Sequence, residues 1–125
     1  MANVLVVDDS SMTHMLLDVM LKRLGHHIVS AYDGLEALEI VDRMQVDLIV
    51  SDINMPNMDG LTFLDKLKGM VGKQNIPVII ISAISMEDYQ NQAIEKGASA
   101  FLIQPFSSVI FSKLVGECLG EVKLR

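Results

Sequence analysis

Short apolar runs alternate along this chain with stretches whose apolar residues recur at helical spacing. Val4-Leu5-Val6-Val7 is a compact, mostly β-branched run and reads as a buried strand. Ser10 or Ser11 is placed to cap the segment that follows. There Met15, Leu16, Val19, Met20 and Leu24 recur at helical spacing, and Gly25 marks the end. His27 to Ala31 reads as a second strand, Asp33-Gly34 as a turn, and Leu35, Ala37, Leu38, Ile40, Val41 and Met44 as a second helical stripe. A third strand is predicted over Val46 to Ser51, followed by an Asn-, Pro- and Asp-rich loop from Asp52 to Gly60. A helix from about Leu61 to Met70 should close near Gly72. Pro77 to Ile81 is the most hydrophobic strand and should be central. Ser85 is placed to cap a helix from about Met86 to Lys96, with Gly97 as its stop. Ala100 to Ile103 is a fifth strand, and Ser107 or Ser108 opens a last helix reaching about Leu119.

Five strand–helix units joined by short connections predict an α/β fold: a five-stranded parallel sheet, doubly wound, with helices on both faces. In such sheets ligands bind beyond the carboxyl ends of the strands. The residues that follow the strands therefore decide the chemistry. Asp8 and Asp9 follow the first strand, Asp52 the third, Ser82 and Ala83 the fourth, and Gln104 and Pro105 the fifth. Three carboxylates converging on one edge repel one another unless a cation lies between them. Oxygen donors without thiol or imidazole suit a hard ion, Mg²⁺ or Mn²⁺. The competing reading makes Asp8 and Asp9 caps of the first helix and Asp52 the cap of a turn.

Composition narrows the setting. The chain has 125 residues, half of them hydrophobic, which is one domain with enough apolar material for a core. A net charge of −6 argues against nucleic acid or anionic membrane as a partner bound through bulk charge. One cysteine, Cys118, forms no intramolecular disulfide and no multi-Cys metal site, so a reducing, cytoplasmic setting is expected. No apolar run is long enough to span a membrane, and the first residues lack a signal-peptide pattern.

The residues at the strand ends carry a resemblance. Val-Val-Asp8-Asp9-Ser, Ser-Asp52-Ile-Asn54-Met-Pro56-Asn-Met-Asp59-Gly60, Ile-Ile-Ser82-Ala83 and Phe101-Leu-Ile-Gln104-Pro105-Phe106 together resemble the receiver domain of two-component response regulators, the CheY-like family. The likeness runs over residues 3 to 119 and implies a single receiver domain over 1–125, with strand order 2-1-3-4-5 as in flavodoxin-like folds. It implies that Asp52 is the phosphoacceptor, a nucleophilic carboxylate that forms an acyl phosphate. It implies that Asp9, Asp52 and the backbone carbonyl of Asn54 bind Mg²⁺, with Asp8 acting mainly through a metal-bound water. Ser82 would hydrogen-bond the phosphoryl group, and Phe101 would be the switch aromatic. The phosphodonor would be a sensor histidine kinase or phosphotransfer protein. The reader would be an effector protein or a fused output domain, engaged through the face made by the fourth helix, fifth strand and last helix. Tyr89, Gln92, Phe101, Ile103, Phe106, Val109 and Lys113 fall on that face. Heterologous docking and a symmetric dimer are both open there. The implied role is signalling rather than enzymatic turnover. An aspartyl-phosphate phosphohydrolase would carry a general acid where Asn54 follows Asp52.

One position departs from the family. Gln104 stands where the family has a lysine, so the site loses a positive charge beside its acids while keeping a hydrogen-bond donor. Higher carboxylate pKa values and heavier reliance on the metal follow. The same departure motivates a second reading, a pseudo-receiver that docks a partner without phosphate. Pro105 sits where the family has a cis peptide bond. Ile84, two residues after Ser82, occupies a position that tunes dephosphorylation, and an apolar side chain there would slow the loss of phosphate. Among weaker signals, adjacent His26 and His27 should face opposite sides, one near the surface. His14 lies on the first helix without an imidazole partner in sequence. Met55 and Met58 either close the loop beside Asp52 against the core or face a partner.

Overall fold

The alternating pattern folds into strands and helices in strict succession in a computed structural model that describes residues 1–83 and 87–120. They are β1 (Asn3–Val7), α1 (Ser11–Arg23), β2 (His27–Ala31), α2 (Gly34–Arg43) and β3 (Leu48–Asp52), then α3 (Gly60–Lys68), β4 (Val78–Ser82), α4 (Glu87–Glu95), β5 (Ala100–Ile103) and α5 (Ser108–Cys118). All strand pairs are parallel, in the order β2-β1-β3-β4-β5. The chain leaves β1 toward β2 on one side and later returns to β3 on the other. The gap between the carboxyl ends of β1 and β3 is therefore the switch point where such sheets bind ligands.

The near-continuous apolar strands follow from burial on both faces. Leu5, Val7, Ile49 and Ile80 point into one layer with Ala37, Val41, Phe63, Leu64, Leu67 and Ala93 of α2, α3 and α4. Val4, Val6, Leu48, Val50, Ile79 and Ile81 point into the other, with Leu17 and Leu21 of α1 and Phe111 and Val115 of α5. Polar side chains start the helices. Ser10 accepts from the Thr13 N–H at 3.3 Å, Asp33 from Glu36 at 2.8 Å, Asp59 from Thr62 at 2.8 Å, and Ser107 from Val109 and Ile110 at 3.0 and 3.3 Å. Gly25 ends the first helical segment in the left-handed region, at φ 86°.

Several expectations need correction. Most of the apolar row expected to bury α1 faces outward: Met15, Leu16 and Val19 are exposed, and so is Leu24 at the helix end, while Met20 packs half-buried against the core. The buried row is His14, Leu17 and Leu21. The Ser10 cap sets the phase of the helix, and the inward position nearest the sheet edge carries a histidine, which hides the true stripe from an apolar count. Regular pairing of β3 begins at Leu48 rather than Val46 and runs through Asp52, so that acid sits on the strand itself. α3 ends at Lys68, short of Met70, and Gly72 with φ 80° lies in the turn beyond. The two histidines do part as expected, His27 exposed and His26 buried, with His26 Nδ1 accepting the Ala2 N–H at 3.1 Å. Ser85 as a cap, Met86 as a helix start and Ile84 as a tuning residue lie outside the described residues. No helix among the described residues is long and apolar enough to cross a membrane.

Candidate functional site

The carboxyl edge of the sheet gathers the acids. Asp8, Asp9 and Asp52 each offer a carboxylate oxygen, and these oxygens lie within 4.8 Å of one another. Asp8 is buried, Asp52 half-buried and Asp9 exposed, so the cluster opens to solvent on one side. The helix-cap reading of the acid pair fails, because Ser10, not Asp8 or Asp9, caps α1.

Backbone amides hold two of the carboxylates. Asp8 Oδ1 accepts the Ser10 N–H at 2.8 Å, and Asp52 Oδ1 accepts the Ile53 N–H at 2.7 Å. These bonds favour the ionised forms, yet burial outweighs them. Burial, then the neighbouring charges of Asp8 and Asp9, raises the Asp52 carboxyl to about 6. Asp8 is raised as well, by burial first and then by Asp9. Two acids whose ionisation is opposed by desolvation and by neighbouring carboxylates form a site that favours a cation between them.

The ends of β4 and β5 complete the edge. Asp52 pairs with Ile81 in the sheet, which places Ser82 one residue further along the neighbouring strand. Ser82 is buried, pairs with Ile103, and its carbonyl accepts the Gln104 N–H at 2.8 Å. Gln104 is half-buried, and the Gln104–Pro105 peptide bond is cis, as the resemblance implied. Phe101 is half-buried against the layer that holds α4 and pairs with Ile80 in the sheet. On the same face Tyr89 and Phe106 pack inward, Phe106 with its ring stacked on Phe111 at 5.4 Å. Ile103 and Val109 remain exposed beside Gln92 and Lys113.

The loop after β3 folds back over the site. Asn54 is exposed, Met58 is buried and Met55 half-buried, so both methionines close the loop against the core. Asn57, with φ 68°, donates from Nδ2 to Asp33 Oδ2 at 2.7 Å and ties this loop to the start of α2. Gly60 donates its N–H to the Ile53 carbonyl at 2.7 Å.

Two structural participants escaped the sequence. His14 Nε2 lies 2.7 Å from the carbonyl oxygen of Asp8, buried, with its ring 4.3 Å from that of Tyr32. The Asp33–Asn57 link is the other. The available signal for His14 was a lone polar residue three and seven positions before Leu17 and Leu21, on what proves to be the inward row.

The comparisons with known proteins agree with this geometry. The family model described as "Response regulator receiver domain" matches residues 4–115. The response regulator PleD of Caulobacter vibrioides is 38% identical over 109 residues, 87% of this chain and 24% of PleD. Curated relatives matched by the chain are longer than it is, and it spans 13% to 50% of their length. Among solved structures, the signal receiver domain of a signal transduction histidine kinase from Syntrophus aciditrophicus superposes with a TM-score of 0.89 at 30% identity, over 100% of this chain and 95% of that one. The receiver domain of sensor histidine kinase PA1611 from Pseudomonas aeruginosa has a TM-score of 0.88 at 21% identity, over 95% and 98% of the two chains. That structure carries a magnesium ion coordinated in its active-site cleft. The family match over most of the chain, with a sheet ordered 2-1-3-4-5 and an acidic cluster at its switch point, makes this chain a member of the response regulator receiver domain family, a signalling module of two-component systems.

Proposed function

We propose that Asp52 is the phosphoacceptor of a two-component phosphorelay and that Asp8, Asp9 and Asp52, with the Asn54 backbone carbonyl, hold Mg²⁺. The observation that carries this reading is the convergence of three carboxylate oxygens within 4.8 Å at the switch point. The donor set fits the ion: all oxygen, partly solvent-facing, with neither thiol nor imidazole in the cluster. When bound, Mg²⁺ supplies charge neutralisation for the carboxylates and for the phosphoryl group.

The chain's own groups do the rest. Asp52 Oδ1 is engaged by the Ile53 N–H, which orients the carboxylate and leaves its second oxygen to attack phosphorus. A P–O bond to Asp52 forms as the bond to the donor breaks, and the donor's leaving atom keeps the electron pair. With its carboxyl at about 6, Asp52 is mostly ionised at neutral pH and more basic than an ordinary aspartate. Ser82, at the end of the strand beside Asp52, would offer its hydroxyl to the new phosphoryl oxygens. Phe101, half-buried one strand over, is the aromatic whose packing would report that contact to the α4–β5–α5 face. An effector protein or fused output domain would read the change there.

The outward row of α1 supports a protein phosphodonor, a histidine kinase or phosphotransfer protein. Met12, Met15, Leu16 and Val19 are exposed on the helix that begins directly after Asp9. Four apolar side chains along one helix face beside the acids offer a landing surface for an apolar helix carrying the phosphohistidine.

Gln104 favours a second reading, docking without phosphate, because an amide replaces a charged contact to the phosphoryl group. Intact-mass measurement after incubation with acetyl phosphate and Mg²⁺, with Asp52→Asn as control, separates the two. A Mg²⁺-dependent gain of one phosphoryl group, absent from the variant, supports the phosphoacceptor. No adduct, together with no binding of beryllofluoride, supports the docking module.

A further inference from the structure

Asp8 and Asp9 are consecutive, and consecutive residues of an extended strand point to opposite sides. Yet both place a carboxylate oxygen in one cluster with Asp52. The backbone must therefore turn at the Asp8–Asp9 peptide, and something must hold that peptide in its orientation. Three contacts hold Asp8. Its N–H donates to the Ala31 carbonyl at 3.1 Å, its Oδ1 accepts the Ser10 N–H at 2.8 Å, and its carbonyl oxygen lies 2.7 Å from His14 Nε2. The last of these fixes the plane of the Asp8–Asp9 peptide. A carbonyl only accepts, so His14 carries a proton on Nε2 and donates it. The pair is buried, and among the described residues that carbonyl has no other hydrogen-bond partner, where an unmet acceptor is costly. Tyr32, next to the Ala31 that receives the Asp8 N–H, lays its ring 4.3 Å from the imidazole at a tilt of 35° and limits its rotation.

We infer that His14 is a positioning residue for the acidic cluster: by donating from Nε2 to the Asp8 carbonyl it sets the Asp8–Asp9 turn that brings both carboxylates to Asp52. The inference rests on the reading of this cluster as a Mg²⁺ site. Removing a group that orients metal ligands typically weakens metal binding by about ten- to a hundredfold.

The test is a Mg²⁺ titration of the full chain followed by amide chemical shifts, with thermal unfolding of the metal-free protein alongside. The variants are His14→Leu, His14→Gln and His14→Asn. Leu keeps the volume without the donor. Gln places an amide N–H close to where Nε2 sits, and Asn falls short of the carbonyl. The expected result is Mg²⁺ binding weakened at least about tenfold in Leu and Asn and restored to within about threefold in Gln. Stability lost equally in all three, with Mg²⁺ affinity unchanged, overturns the inference and makes His14 a packing residue. If His14→Leu does not fold, the contrast between Gln and Asn decides alone, and equal affinity in those two overturns it. A parent protein that binds no Mg²⁺ overturns the metal-site reading itself, and this inference with it. A parent that binds while the His14 variants match it overturns this inference only.

Discussion

Gly60 lies against the backbone of Asp52 so closely that a β-carbon on it would overlap the Asp52 carbonyl oxygen and come within 2.8 Å of the Ile53 α-carbon. Gly60 opens α3 and donates its N–H to the Ile53 carbonyl at 2.7 Å, so the loop carrying Asn54 is closed by a contact only glycine permits. Its backbone is not in the left-handed region, and space alone makes the demand. Helix propensity favours alanine at this position by up to about 1 kcal/mol. The overlap is with backbone, which cannot rotate away, and overpacking of this kind costs about 1–3 kcal/mol. Gly60→Ala is therefore expected to lower stability on denaturant unfolding and to slow phosphorylation of Asp52 by acetyl phosphate. A variant as stable and as fast as the parent would show that the loop yields freely.

The acid cluster sets a pH dependence of a particular sign. Asp52 and Asp8 have raised carboxyl pKa values, so the folded chain holds those protons to higher pH than the unfolded chain does. The Asp52 contribution is fully present below the ordinary value of 3.8 and is lost as pH rises through about 6, and the Asp8 contribution is likewise lost as pH rises above the ordinary range. Without metal, Asp52→Asn is thus expected to exceed the parent at pH 7.5 by about 1–2 kcal/mol, allowing for the part of the carboxylate that water still reaches. The advantage should vanish near pH 4, and Mg²⁺ should raise the parent's stability but not the variant's. Urea unfolding at the two pH values reads this directly. A constant offset between the two proteins would mean that burial and the neighbouring acids do not destabilise ionised Asp52.

The exposed row on α1 separates a protein donor from a small one. Leu16→Asp places a charge in the middle of the row formed by Met12, Met15 and Val19. That side chain is half exposed, so the cost in stability should stay near about 0.5 kcal/mol. Phosphorylation by acetyl phosphate, which needs no surface beyond the acids, should continue at the parental rate. Transfer from a phosphorylated histidine protein should fall about tenfold or more if this row is where that protein lands. Equal losses with both donors would place the defect in the acid site instead.

These residues also mark where the sequence was legible. Strands buried on both faces are short continuous apolar runs, so β1 and β4 were visible without any structure, and the half-buried edge strand β5 showed the same apolar run. The strand-end acids were visible because the topology rule names the edge where ligands bind. The α1 face was misread because its exposed side is the more apolar one. A helix that exposes Met12, Met15, Leu16 and Val19 while burying a histidine inverts the usual pattern. His14 was missed for the same reason, and because its partner is a backbone carbonyl six residues away, which no side-chain pattern announces. The Asn57–Asp33 link joins residues 24 apart in sequence and exists only once β2 and β3 flank β1.

Gln104 is the residue on which the signalling reading turns. It is half-buried at the end of β5, its N–H bound to the Ser82 carbonyl at 2.8 Å, so its backbone is locked to the strand that carries Ser82. The amide side chain can donate a hydrogen bond to a phosphoryl oxygen but brings no charge, and a charge-assisted bond is roughly twice as strong as a neutral one. An ammonium at position 104 would offset part of the charge of the three acids, so with Gln104 phosphorylation is expected to depend more steeply on the metal. Gln104→Lys should lower the Asp52 carboxyl, weaken the metal-free protein's attraction for Mg²⁺, and raise the rate of phosphorylation at saturating Mg²⁺. A Mg²⁺ titration of both proteins, followed by acetyl phosphate labelling read as intact mass, measures all but the first. Carboxyl carbon shifts across pH measure that one. Unchanged metal affinity together with an unchanged labelling rate would show that Gln104 already meets the phosphoryl group as well as a lysine would, and that the missing charge does not govern this site.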